Sequence, residues 1–136
     1  DAKLAQIQKY ITSVPGVGPV VAWNLLVKTN EFKLINDPRK LACYAGVVPF
    51  EHQSGSSIKR RPKVSNMADK KLKTVLHMAA MRAIRIEGEL QDFFNKKIKE
   101  GKNRMSVINA VRNKIVARVC ATVNNQTLYK NDFVLS

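Results

Sequence analysis

From residue 72 to residue 123 the apolar side chains return every three or four positions, and a chain written in that period can bury them only by forming helices that pack on one another. Leu72, Val75, Leu76, Ala79, Ala83 and Ile86 share one helical face, with Lys70, Lys71 and Lys73 off it. Gly88 interrupts the series, and Leu90, Phe93, Phe94 and Ile98 resume it as far as Gly101. Ile108, Val111, Ile115, Val119 and Val123 then carry it through a long last helix from about Arg104. Ser65 or Asn66 is placed to cap the first of these helices. The polar tail after Asn124 is expected to fray.

The first half follows the same rule. Leu4, Ile7, Ile11 and Val14 recur at helical spacing until Pro15-Gly16 ends the pattern, and a second apolar helix runs from about Pro19 to Val27. Asn36-Asp37-Pro38 supplies a capping side chain ahead of a proline in the first turn, with Leu41, Ala42 and Ala45 inward and Gly46 closing the helix. Residues 47–66 have no helical period and contain two prolines, so an extended loop or short hairpin is expected there. The chain is thus read as one all-α domain over 1–136, with five to six helices, an N-terminal helix-hairpin-helix and one long basic loop.

Charge narrows the partners. The 136 residues carry 24 Lys and Arg against 10 Asp and Glu, a net charge of +14, which calls for a polyanion. No apolar run approaches the roughly 18 residues of a spanning helix and no signal-peptide pattern opens the chain. Nucleic acid is therefore expected rather than a membrane, and the cytoplasm rather than export. Cys43 and Cys120 sit apart in apolar stretches and read as reduced, packed thiols. With His52 and His77 they complete no ligand cluster, so no metal is expected within this chain. The sequence opens at Asp1 already inside a helical pattern, as a piece of a longer protein would.

Two stretches carry candidate chemistry. In YITSVPGVGPVVAWNLL, residues 10–26, Gly16, Val17 and Gly18 form a turn between two apolar helices. Glycine there permits positive φ and close backbone approach. The arrangement resembles a helix-hairpin-helix, whose amides and second-helix N-terminus face a DNA phosphate. A Pro-Gly turn that merely joins two packed helices has the same sequence, and the surrounding charge favours DNA backbone. Ala22 and Trp23 are expected in the core.

The second stretch is FEHQSGSSIKRRPKV, residues 50–64, where Ser54 and Gly55 precede Lys59, Arg60, Arg61 and Lys63. Between residues 59 and 73 seven cations face one acid, Asp69. A phosphodiester repels nucleophiles by its own charge, and a serine hydroxyl needs a base or cationic stabilisation of its product, so this density suits a serine delivered to phosphate. On composition alone a flexible Ser/Gly loop with solvated lysines is the better reading. His52 is either a general base or a surface histidine.

PGVGP, a phenylalanine at Phe32, KLACYAGVVPFEHQSGSSIKRR, LHMAAMRA and GKN occur in one order and register. From about Ile11 to Val123 this resembles the C-terminal domain of the insertion-sequence transposases of family one-ten, which include the pilin-gene invertases. The resemblance implies a RuvC-like domain upstream, whose four carboxylates bind divalent metal such as Mg²⁺. It also implies Ser54 as the nucleophile, with Gly55 beside it, forming a phosphoserine link to DNA. DNA contacts are expected at Gly16, Val17, Gly18, Gly55, Lys59, Arg60, Arg61 and Lys63. The expected partners are DNA, the RuvC-like domain of the same chain and further copies in a homo-oligomer, and some relatives admit a guide (bridge) RNA. The chain departs from the family pattern at Asn66 and Ala68, where a basic residue and a glycine are usual, and at Lys73, where arginine is frequent. The ten acids form no RuvC-like constellation. The alternative function is a non-catalytic helix-hairpin-helix module that binds nucleic acid.

Overall fold

A computed structural model describes residues 2–28 and 70–130. Among them the chain forms α1 (Ala2–Thr12), α2 (Pro19–Lys28), α3 (Lys70–Ala83), α4 (Glu89–Lys99) and α5 (Arg104–Asn125), and no strand. The all-α expectation holds for these residues. The expected helix after Asn36, the loop 47–66, the caps Ser65 and Asn66, and Cys43 lie outside the described residues.

The long helix α5 is the spine. It packs against α3, α4 and α1, while α2 lies on α1 and α3. The inward positions are those the period marks: Ile11, Leu25, Leu72, Leu76, Leu90, Ile108 and Ile115 are among the largest fully buried side chains. Each such Leu or Ile contributes on the order of 1.5–3 kcal/mol relative to exposure. Cys120 is in no disulfide and is buried in this core.

Local chemistry sets the helix ends. Asn103 caps α5, its Oδ1 accepting the Ser106 N–H at 3.1 Å. Helix α4 opens with Glu89 and Asp92 and closes with Lys96, Lys97 and Lys99, which matches its macrodipole. Gly101 at φ 87° turns the chain between α4 and α5.

Three expectations are corrected. Trp23 is 57% exposed rather than in the core. Helix α2 buries Val21, Ala22, Leu25 and Leu26, and Trp23 falls on the opposite side with Val20 and Val27. Ile86 leaves the α3 face because the helix ends at Ala83, and it is 44% exposed. The chain after Asn124 does not fray at once. Gln126 adopts the left-handed conformation that ends α5, donating its N–H to the Thr122 carbonyl, and residues 127–130 turn back onto the domain.

Tyr129 fixes that return. Its N–H donates to Ser13 Oγ at 2.8 Å and its hydroxyl donates to Glu89 Oε1 at 2.6 Å, while Arg118 donates to both Glu89 oxygens. Burial pushes the Glu89 carboxyl up. The hydrogen bonds from Arg118 and Tyr129, with the charges of Arg118 and Lys114, outweigh this and hold it below the ordinary value of 4.5. A carboxyl depressed in the folded state adds stability above its unfolded pKa and loses it as pH falls through the folded value. Glu89→Gln is therefore expected to lower the melting temperature most near neutral pH, with the gap to wild type closing as pH falls below about 4.5. Tyr129→Phe is expected to cost about 1–2 kcal/mol, since it removes one hydrogen bond to a charged acceptor. Thermal melts across pH check both, and a gap that stays constant with pH would remove Glu89's charge from the account.

Candidate nucleic-acid interface

The α1–α2 hairpin is built by its own backbone. Ser13 and Val14 N–H groups donate to Tyr10 and Ile11 carbonyls at 3.3 and 3.2 Å, and Val17 N–H donates to the Val14 carbonyl at 3.1 Å. Ser13 Oγ also donates to the Tyr10 carbonyl at 2.6 Å, so this one hydroxyl ends α1 and receives the Tyr129 amide. Val14 and Val17 are buried and anchor the turn.

The two glycines are seated differently. Gly16 has φ +87°, and a Cβ built there would lie 2.2 Å from the Ala79 carbonyl oxygen and 2.9 Å from the Ala83 nitrogen. Its bare Cα lets the hairpin touch the backbone of α3. A Cβ on Gly18 would meet only the guanidinium of Arg82, with Nη1 at 2.8 Å. The guanidinium of Arg82 therefore lies over the second glycine, beside the start of α2. The amides of Gly16 and Gly18 have no hydrogen-bond partner among the described residues, and Pro19 contributes no N–H.

Around this turn runs an open groove of about 490 Å³, lined by the hairpin from Thr12 to Gly18 and by Arg82, Arg85 and Ile86. Neither arginine side chain has an ion-pair or hydrogen-bond partner among the described residues, and both are exposed. A guanidinium at a helix N-terminus opposes the macrodipole, and an anion in the groove would answer both.

Charge is unevenly distributed. The described acids, Glu87, Glu89, Asp92 and Glu100, all fall between residues 87 and 100, and α1, α2 and α3 contain none. Two of the four are paired: Glu89 with Arg118, and Glu100 with Lys97 at 3.4 Å. The described part of helix α3 opens on Lys70, Lys71 and Lys73 and contains no acid.

Of the residues singled out from sequence, Gly16, Val17 and Gly18 stand at this groove. Ser54, Gly55, Lys59, Arg60, Arg61 and Lys63 lie outside the described residues, as do His52, Asn66 and Ala68. Arg82 and Arg85 were not among the sequence candidates. Their signal was present, three residues apart in the outward register of a helix whose inward register was plain. Among the described residues no three His, Cys, Asp or Glu side chains come together as metal ligands. No described helix is long and apolar enough to cross a membrane.

Comparison with known proteins gives one consistent family. Residues 8–95, more than half of the chain, match the model of the "Transposase IS116/IS110/IS902 family". The chain is 28% identical over 107 residues to the pilin gene-inverting protein of Moraxella bovis, covering 78% of this chain and 33% of that protein. It is 30% identical over 93 residues to the insertion element IS116 uncharacterized 44.8 kDa protein of Streptomyces clavuligerus, covering 67% and 23% respectively. The match to the insertion element IS110 uncharacterized 43.6 kDa protein of Streptomyces coelicolor is 24% over 123 residues, covering 89% and 30%. The chain spans about a third or less of the length of these curated relatives.

Proposed function

Because the chain belongs to the IS116/IS110/IS902 transposase family, we propose that it is the DNA-gripping, serine-bearing part of a DNA transposase or site-specific recombinase. The observation that carries this reading is the family match over residues 8–95, a span that contains the hairpin, Ser54 and the acid-free helix α3. Ser54 Oγ attacks a phosphorus of the DNA backbone. The hydroxyl proton passes to a base, the bond from phosphorus to the leaving nucleotide oxygen breaks, and that oxygen takes up a proton as a free hydroxyl. The serine–phosphate ester keeps the bond energy, so attack by a hydroxyl of another strand rejoins the DNA and releases Ser54.

Lys59, Arg60, Arg61 and Lys63 hold the phosphate oxygens, Gly55 leaves space beside the nucleophile, and the hairpin amides of Gly16, Val17 and Gly18 face a neighbouring phosphate. The divalent metal implied by the family resemblance belongs to the carboxylates of a RuvC-like domain elsewhere in the protein. The described residues offer no such ligand set. A homo-oligomer aligns the strands to be exchanged.

The grip on DNA is tested by titrating the 136-residue chain with duplex at several ionic strengths. For four phosphate contacts, affinity is expected to fall about a hundredfold between about 50 and about 200 mM salt, with little preference among sequences. Binding that is insensitive to salt, or absent at low salt, would defeat this reading.

A further inference from the structure

We propose that the outward face of α3 is a track for one strand of a duplex DNA backbone, entered at Lys70 and Lys71 and ending at Arg82 and Arg85 in the hairpin groove. This rests on the reading that the chain grips DNA, and it names which described residues do so. Lys70, Lys71, Thr74, Met78, Arg82 and Arg85 are all exposed, whereas Leu72, Val75, Leu76, Ala79, Ala80 and Ala83 are buried. Lys71, Thr74, Met78, Arg82 and Arg85 follow spacings of three and four, so they form one continuous stripe along the helix and the turn after it.

The stripe fits a phosphate backbone in charge, length and chemistry. None of its four cations is ion-paired among the described residues, and no acid occurs on α1, α2 or α3. Eleven residues separate Lys71 from Arg82, about 16 Å of helix. One DNA strand advances about 3.4 Å along the duplex axis per phosphate while winding round it, so a stripe that follows the strand spans about three phosphates. The ends grip and the middle does not read. Between the cations stand Thr74, whose hydroxyl donates to the Lys70 carbonyl at 3.0 Å, and Met78, which is 53% exposed. Neither is an amide or a fork suited to base edges, so the track positions DNA without specifying sequence.

The cations at the two limits of the stripe are also left unanswered among the described residues. Lys70 and Lys71 lie exposed at one limit of the described part of α3, with no acid on that helix to pair with them. At the far end Arg82 sits over Gly18 by the start of α2, where the dipole is positive. A helix N-terminus facing a cation at one limit of the stripe, and unpaired lysines at the other, are both answered by the same polyanion.

The test compares charge-matched pairs in the 136-residue chain. Arg82→Gln with Arg85→Gln is expected to lower duplex affinity at least tenfold at low salt and to reduce the salt slope by about two, as is Lys70→Gln with Lys71→Gln. Lys96→Gln with Lys99→Gln, which removes the same charge from exposed positions of α4, is expected to leave the slope within about half a unit of wild type. Arg82→Lys with Arg85→Lys keeps the slope. Thermal melts verify that each variant folds. Equal losses from the α3 and α4 pairs overturn the track while DNA binding itself stands. A wild-type chain with no salt-dependent binding overturns both. If the α3 pairs weaken only a structured RNA of equal length and not the duplex, the DNA assignment is overturned.

Discussion

Ser54→Ala is expected to abolish the covalent protein–DNA adduct in a protein of the relatives' full length that carries this chain, while leaving its melting temperature unchanged within a few degrees. The hydroxyl that becomes the bridging oxygen of a phosphoserine has no substitute in an alanine methyl. Loss of a nucleophile costs about four to six orders of magnitude in rate. Ser56→Ala and Ser57→Ala remove at most a hydrogen bond, about 1 kcal/mol, and are expected to keep a measurable rate. A nicked DNA substrate traps the intermediate, because the nick lets the leaving strand diffuse away. Wild type should then give an adduct on denaturing gels and Ser54→Ala none, with peptide mapping placing the phosphate on residue 54. An adduct that persists in Ser54→Ala, or maps to Ser56 or Tyr44, refutes the assignment. The 136-residue chain alone is expected to give no adduct, because the carboxylates and metal proposed to activate the attack are not among its residues.

The inward half of the fold was readable because burial enforces a period. Leu72, Val75, Leu76, Ala79 and Ala83 mark the core face of α3, and Ile108, Val111, Ile115 and Val119 that of α5, since each must avoid water and only one helical arc does so. Trp23 misled for the same reason. Its apolar bulk argues for the interior, yet α2 already fills its inward arc with Val21, Ala22, Leu25 and Leu26, and no rule of period says which of two apolar arcs faces in. The Glu89, Arg118 and Tyr129 cluster joins residues 29 and 40 positions apart. No local pattern announces such a contact, because it depends on how α4 and α5 cross. Arg82 and Arg85 lie between these cases. Their register was visible, but only the seating of the hairpin on α3 brings Arg82 over Gly18 and both arginines to the groove.

Gly16→Ala is expected to destabilise the chain by about 3–5 kcal/mol, lowering the melting temperature by roughly 10–20 °C, whereas Gly18→Ala should shift it by less than about 4 °C. At Gly16 two costs coincide. An L residue held at φ +87° loses about 1–3 kcal/mol. The new methyl would also sit 2.2 Å from the Ala79 carbonyl oxygen and 3.0 Å from Ala83 Cβ. Those neighbours are the backbone and a methyl of a helix whose Ala79 and Ala83 are fully buried, so relief requires moving α3 or the hairpin, an overpacking cost of about 1–3 kcal/mol. At Gly18 the only neighbour is the far end of Arg82, which can swing away without disturbing the core. That swing has a functional price, since it removes the guanidinium from the mouth of the groove. Gly18→Ala is therefore expected to weaken duplex binding severalfold at nearly unchanged stability, and Gly16→Ala to do the reverse at temperatures where it remains folded. Melting curves and DNA titrations on the two variants decide it. Equal destabilisation by both would mean that the hairpin is not seated on α3 through Gly16, and an unchanged affinity for Gly18→Ala would mean that Arg82 does not need its place over the second glycine to hold phosphate.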